Sequence, residues 1–187
     1  QGTLHAVMAR PVRRWEIVLG KFVGQTLMLA MFVAVSSSAM MGAVRLITGE
    51  LAARAWIAPF LMLFAAIVLI GITIAGSARL DTLVNGVTVF TLYSAALIGG
   101  VIEQLGVFLD SVVMFDIGVG TSFFMPTRAL WDMASAQFTP PGSSALNITA
   151  GPFGSLNGPS GWMLLVAGLH VTLMLAIAMQ IFHRRDL

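Results

Sequence analysis

Cysteine is absent from the 187 residues of this chain. That excludes disulfide bridges, thiolate metal sites and cysteine nucleophiles. Charge is scarce as well. Asp, Glu, Lys and Arg make up 10% of the residues, where a soluble domain carries about 25%. A water-facing surface of this size needs more ions, so a soluble fold is excluded. His5, His170 and His183 lie far apart and form no HExxH pair, so no metal site is expected. Gly20-Lys21 is followed by Phe22, with Trp15 where a phosphate loop needs its first glycine. No such loop occurs elsewhere, so ATP phosphates cannot be cradled in that way by this chain. No Ser/His/Asp arrangement suggests a hydrolase. The net charge of +2 is small, and the basic residues are not interleaved with aromatics in a patch, which argues against nucleic acid.

What is present is apolar: 58% of the residues are hydrophobic. Crossing the hydrocarbon core takes about 20 such residues as a helix. Four runs qualify, over about residues 22–44, 57–78, 83–109 and 162–182. The third is apolar to Ile102 and then meets Glu103. The pattern predicts an all-α, polytopic helical membrane protein with four visible transmembrane helices and membrane lipid around it. The basic start is not a signal peptide, because the apolar run behind it is too long and lacks a cleavage site. The 12 methionines fit adaptable packing and do not imply metal binding.

Basic residues at the flanks set the orientation. With a cytoplasmic N-terminus, Arg10, Arg13, Arg14, Lys21, Arg79, Arg184 and Arg185 lie inside, and Arg45, Arg54 and Arg128 lie outside. The split is seven to three, and four spans return the C-terminus to the cytoplasm. Residues 110–161 then form an external loop rich in Gly, Pro and Ser. Within it, MPTRALWDMASAQF predicts one short interfacial or re-entrant helix, with Leu130, Met133, Ala134 and Phe138 on one face and Arg128, Asp132 and Gln137 polar. TPPGSSALNITAGPFGSLNGPSG reads as irregular loop.

Several residues stand out as candidates. Gly20 and Gly24 form a GxxxG, and Ala95 with Gly99 a second small pair, both suited to close helix packing. Glu103 and Asp110 are seven apart and share a face if their helix continues that far. With Asp116 they fall at the outer end of the third span, where hydration is the simpler reading. His170 lies near the middle of the fourth span. It could line a substrate or proton path, or hydrogen-bond between helices as a neutral ring. These residues keep open a proton-coupled secondary transporter using His170 with Glu103 or Asp110. A non-transporting membrane assembly factor is the third reading.

The stretch HAVMARPVRRWEIVLGK, His5 to Lys21, is basic, carries Trp15, and runs straight into the first span. By charge alone it is a flank that orients the span and binds anionic lipid. Its pattern, Gly-Thr-Leu, then Ala-Arg-Pro-Val-x-Arg, then Glu-Ile-Val-Leu-Gly-Lys, resembles the cytoplasmic coupling segment of ABC-2 type transporter permeases. MPTRALW and the closing Phe182 to Leu187, FHRRDL, resemble further elements of that family. The resemblance implies a six-helix fold in the whole subunit, of which four helices are visible here. It also implies that residues 1–20 form a coupling helix, bent at Pro11, that docks on a separate ABC ATP-binding subunit. Arg10, Pro11, Val12, Arg13, Arg14, Trp15 and Glu16 would make that contact, and Lys21 would snorkel to lipid phosphates. ATP and Mg would be bound by the partner, with no cofactor and no catalytic residue in this chain. The implied function is that of a transport subunit, an exporter in the cell inner membrane, assembled as a homodimer or pseudo-dimer of permeases. The chain opens at Gln1, inside what resembles an internal motif, so an upstream helix pair is expected.

Overall fold

The computed structural model describes residues 14–51, 54–138 and 160–184, and every regular element among them is helical. Four helices are long and apolar enough to cross a membrane: α1 (Arg14–Thr48), α2 (Ile57–Ser77), α3 (Thr82–Phe108) and, late in the chain, α6 (Met163–Arg184). Between α3 and α6 stand α4 (Val112–Phe124) and α5 (Thr127–Ser135), the latter prolonged by a 3₁₀ turn at Ala136–Phe138. The chain is an all-α polytopic membrane protein.

The four spans fall where the apolar runs place them, with one change of extent. α1 is unbroken for 35 residues, about 52 Å at 1.5 Å per residue. It therefore projects beyond a hydrocarbon core of about 30 Å. Of the bend and restart expected around Pro11 to Glu16, only the restart lies within the described residues. There it runs into the span without interruption.

α2 is the centre of the bundle. It packs against α1, α3, α5 and α6, and no residue from Leu61 to Ala78 is exposed. Its composition explains this, since IAPFLMLFAAIVLIGITIAGS is apolar all round and suits a helix covered on every side. The main core joins Leu61, Val68 and Ile72 of α2 to Ala96 of α3, Leu130 and Ala134 of α5, and Ala167, Val171 and Leu175 of α6. α1 is the opposite case. A stripe through Phe22, Thr26, Val33, Ser37 and Met41 is half-covered, Val18 is its single buried residue, and the rest is open.

The turn from α2 into α3 is short and locked by Asn85. This side chain is 5% exposed. Its Nδ2 donates to the Thr73 carbonyl across the helix pair at 2.9 Å. It lies on Gly76, where a Cβ would meet the Asn85 Cγ at 3.0 Å. A side-chain amide reaching a helix carbonyl is a usual way to tie neighbouring spans together.

Residues 110–124 differ from the external loop expected for them. VVMFDIGVGTSFF folds as α4, 13 residues long and about 20 Å, too short to cross. It runs back antiparallel along α3: Phe115 meets Gly106, Gly118 meets Glu103 and Thr121 meets Gly99. Buried Met125 and Pro126 make the turn, and α5 returns to bring Trp131 and Phe138 beside Leu51 and Ala55 at the α1–α2 connection. α4 and α5 are thus a re-entrant pair. Non-helical backbone at that depth is tolerated because protein covers it. An apolar 13-residue stretch interrupted by Asp116 and two glycines does not read as an element, because its length fits neither a span nor a bare loop. The segment 139–159 and the residues after 184 lie outside the described residues.

Candidate functional site

Two regions carry the side chains that a transport function would use, one at each end of the bundle. At the end where α1 begins, Arg14 opens the helix, and Arg10, Pro11, Val12 and Arg13 lie outside the described residues. Trp15 and Glu16 are exposed, as is Lys21. One turn on, Val18 is 2% exposed and packs with Ile74 and Ala75 of α2 and Ala178 of α6. Phe22 and Phe182 complete this cluster. The root of α1 is thereby fixed to the ends of two other spans, directly behind the arginine-rich lead-in.

Further along, α1 separates from α2. Val33, Ser37, Met40 and Val44 face Ala58, Met62 and Trp131 across an apolar groove of about 720 Å³. α1 is therefore clamped at its first turns and splayed at its far end. Gly20 and Gly24 lie on exposed surface, and a Cβ at either would meet nothing within 4 Å. Their GxxxG face touches no described helix of this chain.

The second region lies at the other end, between α3 and the re-entrant pair. Arg128, expected among the external charges on the polar side of its helix, is instead 2% exposed. Its guanidinium Nε donates to the Asp132 Oδ2 at 3.1 Å, one turn on in α5. The Arg128 charge acts on Glu103 of α3 as well as on Asp132. Burial pushes the Asp132 carboxyl up to about 6, with Arg128 opposing that rise and Glu103 adding to it. One arginine serves two carboxylates, so the cluster carries an excess negative charge when both are ionised. Removing such a buried cation would strand the acids, at a cost of about 3–5 kcal/mol.

Glycine on α3 makes room for this cluster. The buried face runs Ala96, Gly99, Gly100, Gly106, with Glu103 half-buried among them, a spacing of three and four that keeps all five in line. A Cβ on Gly100 would stand 2.6 Å from the Arg128 Nε and 2.9 Å from its Cγ. A Cβ on Gly118 would stand 2.7 Å from the Glu103 Cα and 2.8 Å from its backbone N. Bare backbone here admits an arginine side chain on one flank of α3 and a second helix on the other. The small pair expected at Ala95 and Gly99 is displaced by one residue, since Ala95 is exposed and Ala96 is the buried partner.

Glu103 is half-buried, not hydrated at an interface. The helix does not continue to Asp110. α3 ends at Phe108, and Asp110 takes the left-handed conformation with φ 52°. The Ser111 N–H bonds the Gly106 carbonyl at 2.8 Å, which completes a Schellman-type stop. An aspartate tolerates this conformation better than most residues, so the exposed Asp110 has a terminating role. Asp116 is exposed on α4. His170 is half-buried on α6, and its Nε2 has no hydrogen-bond partner among the described residues. Beside Glu103 and Asp132 lies a cavity of about 310 Å³, whose walls include neither His170 nor Asp110. Two signals for the cluster are present in the sequence: the i, i+4 spacing of Arg128 and Asp132, and the acid set into the glycine ladder of α3.

A family model described as ABC-2 family transporter protein matches residues 1–187. No curated protein and no solved structure matches the chain.

Proposed function

The chain belongs to the ABC-2 family of transporter proteins and is a permease subunit of an ABC transporter; we propose that it is an exporter subunit driven through its arginine-rich lead-in by a separate ATP-binding subunit. That partner holds the ATP and Mg. The observation that supports this reading best is the clamp on α1. Val18 and Phe22 tie its first turns to α2 and α6, immediately behind Arg14. A displacement applied to the lead-in would pass into the ends of three spans at once. The far end of α1, with no such clamp, is free to change its angle over the groove.

In this reading Arg10, Pro11, Val12, Arg13, Arg14, Trp15 and Glu16 form the contact with the ATP-binding subunit. Exposed charges at such a rim set register and orientation more than affinity. The lead-in and the C-terminus lie on the cytoplasmic side of the inner membrane. Burial of Arg128 takes one basic residue off the opposite surface, which sharpens the charge asymmetry that favours this orientation. The open Gly20–Gly24 face of α1 is suited to a second permease subunit, as a homodimer or pseudo-dimer requires.

Charge reversal tests the coupling. Arg13→Glu with Arg14→Glu is expected to cut co-purification of the ATP-binding subunit at least tenfold while the chain still inserts in the membrane. Recovery of that subunit at wild-type yield would refute the assignment. For orientation, a cysteine at Thr48 should react with an impermeant thiol reagent from outside, and one at Ser77 should not. The reverse pattern would overturn the topology.

A further inference from the structure

The cavity beside the Arg128 cluster has a wall chemistry that packing does not require. Glu103 and Asp132 line it, together with Ser122, Phe115, Phe123 and Trp162. Arg128 is not among its walls; it is held against Gly100 and bonded to Asp132, with its side chain 1% exposed. The arginine thus balances one carboxylate from behind, and a second negative charge is left facing the cavity.

Two further observations point to a ligand. Ser122 is 5% exposed and makes no hydrogen bond to any described residue, so a buried hydroxyl on the cavity wall lacks a partner. A buried polar group without one costs about 1–3 kcal/mol. The aromatic side is already assembled. The Phe123 and Trp162 rings lie 5.1 Å apart at 45°, with Phe115 on the same cavity. Aromatic faces attract cations that are poorly hydrated, above all alkylated ammonium groups.

We propose that this cavity is a recognition site for a small organic ammonium ion. Glu103 supplies the countercharge, Ser122 an oxygen acceptor, and Phe115, Phe123 and Trp162 the faces against which the alkylated nitrogen rests. Its volume of about 310 Å³ stands at the lower end of ligand pockets, which run from about 300 Å³, so it admits one small amine. A hard metal ion fits less well. It asks for six or more oxygens, and no group of three or more acidic or imidazole side chains occurs among the described residues. The cavity opens beside Ser160 and Trp162 at the start of α6, the end of the bundle away from the lead-in. That the ammonium compound is the transported substrate rests on the export reading; that it binds does not.

Isothermal titration of the purified chain in maltoside micelles, without choline lipid or ATPase, tests binding alone. Choline is expected to bind, and its uncharged isostere 3,3-dimethyl-1-butanol is not. Glu103→Gln and Trp162→Ala should each weaken choline at least tenfold. Trp162 is 48% exposed, so its variant keeps the fold and decides the matter if Glu103→Gln does not fold. Phosphocholine binding tighter than choline would identify a lipid headgroup as the source of the ammonium, and the reverse order a free amine. Equal binding of choline and its neutral isostere, wild-type affinity in both variants, or displacement of choline by millimolar magnesium would each overturn the proposal. Loss of ATPase coupling in the lead-in variant leaves this result untouched, so the two readings fail separately.

Discussion

Gly118→Ala is the smallest change that separates close backbone packing of α4 on α3 from a looser arrangement. The new methyl group would meet the Glu103 Cα at 2.7 Å and its backbone N at 2.8 Å, where ordinary contacts lie at 3.4–4 Å. Both neighbours are backbone of α3, a 27-residue helix, and neither can swing aside. The α3 and α4 axes must part by about 1 Å, and a gap of that size forfeits about a quarter to a half of each dispersion contact it opens. Overpacking of this kind costs about 1–3 kcal/mol, and a clash with backbone belongs at the upper end. Replacing glycine inside a helix returns about 1 kcal/mol of propensity. The net expectation is a loss of about 2 kcal/mol. Gly120→Ala, two residues on, supplies the control, because a Cβ there meets nothing within 4 Å. It should be neutral or stabilising by up to about 1 kcal/mol. Equilibrium unfolding in mixed micelles, followed by helical circular dichroism, measures both. If the two variants unfold at the same denaturant fraction, α4 does not lie against Glu103, and the cavity beside it loses its floor.

Arg128→Met should destabilise by about 3 kcal/mol or more, since it strands two carboxylates, and adding Asp132→Asn should restore part of that loss; a fully additive double variant in the same unfolding assay would show that the two side chains do not interact. Asp132 should also give the protein a pH dependence. Its carboxyl is raised from 3.8 to about 6, so the folded state holds the proton more tightly than the unfolded one, and the charged form is penalised above about pH 6. Wild-type stability relative to Asp132→Asn should therefore rise as pH falls from about 6 toward 3.8; a difference that is flat or falls over that window, measured by melting in detergent, would contradict the burial of this group. Asn85→Leu should cost about 1 kcal/mol by removing the bond to the Thr73 carbonyl, and unchanged unfolding would show that the α2–α3 turn is held by its apolar contacts alone.

The class of this protein and the position of its spans are legible in the order of its residues. Charge scarcity and four apolar runs, bounded by Arg54, Arg79 and Asp81, leave a membrane bundle as the only outcome, because length and polarity are properties of local sequence. The lead-in pattern carries the family, which the match over residues 1–187 bears out. The docking role of Arg10 to Glu16 belongs to the proposal, since most of those residues lie outside the described ones. Whatever depends on which face meets which emerges only on folding. α4 is not legible because 13 residues form neither a span nor a loop. Arg128 reads as a surface charge because burial of a cation is set by its neighbours; only the fold brings Asp132 and Glu103 beside it and Gly100 beneath it. Asp110 reads as a partner of Glu103 because spacing alone cannot say where a helix stops, and the left-handed turn at that residue ends it. The cavity between α3, α4 and α6 draws its walls from residues up to 60 positions apart, a juxtaposition that exists only once the re-entrant pair has folded back against α3.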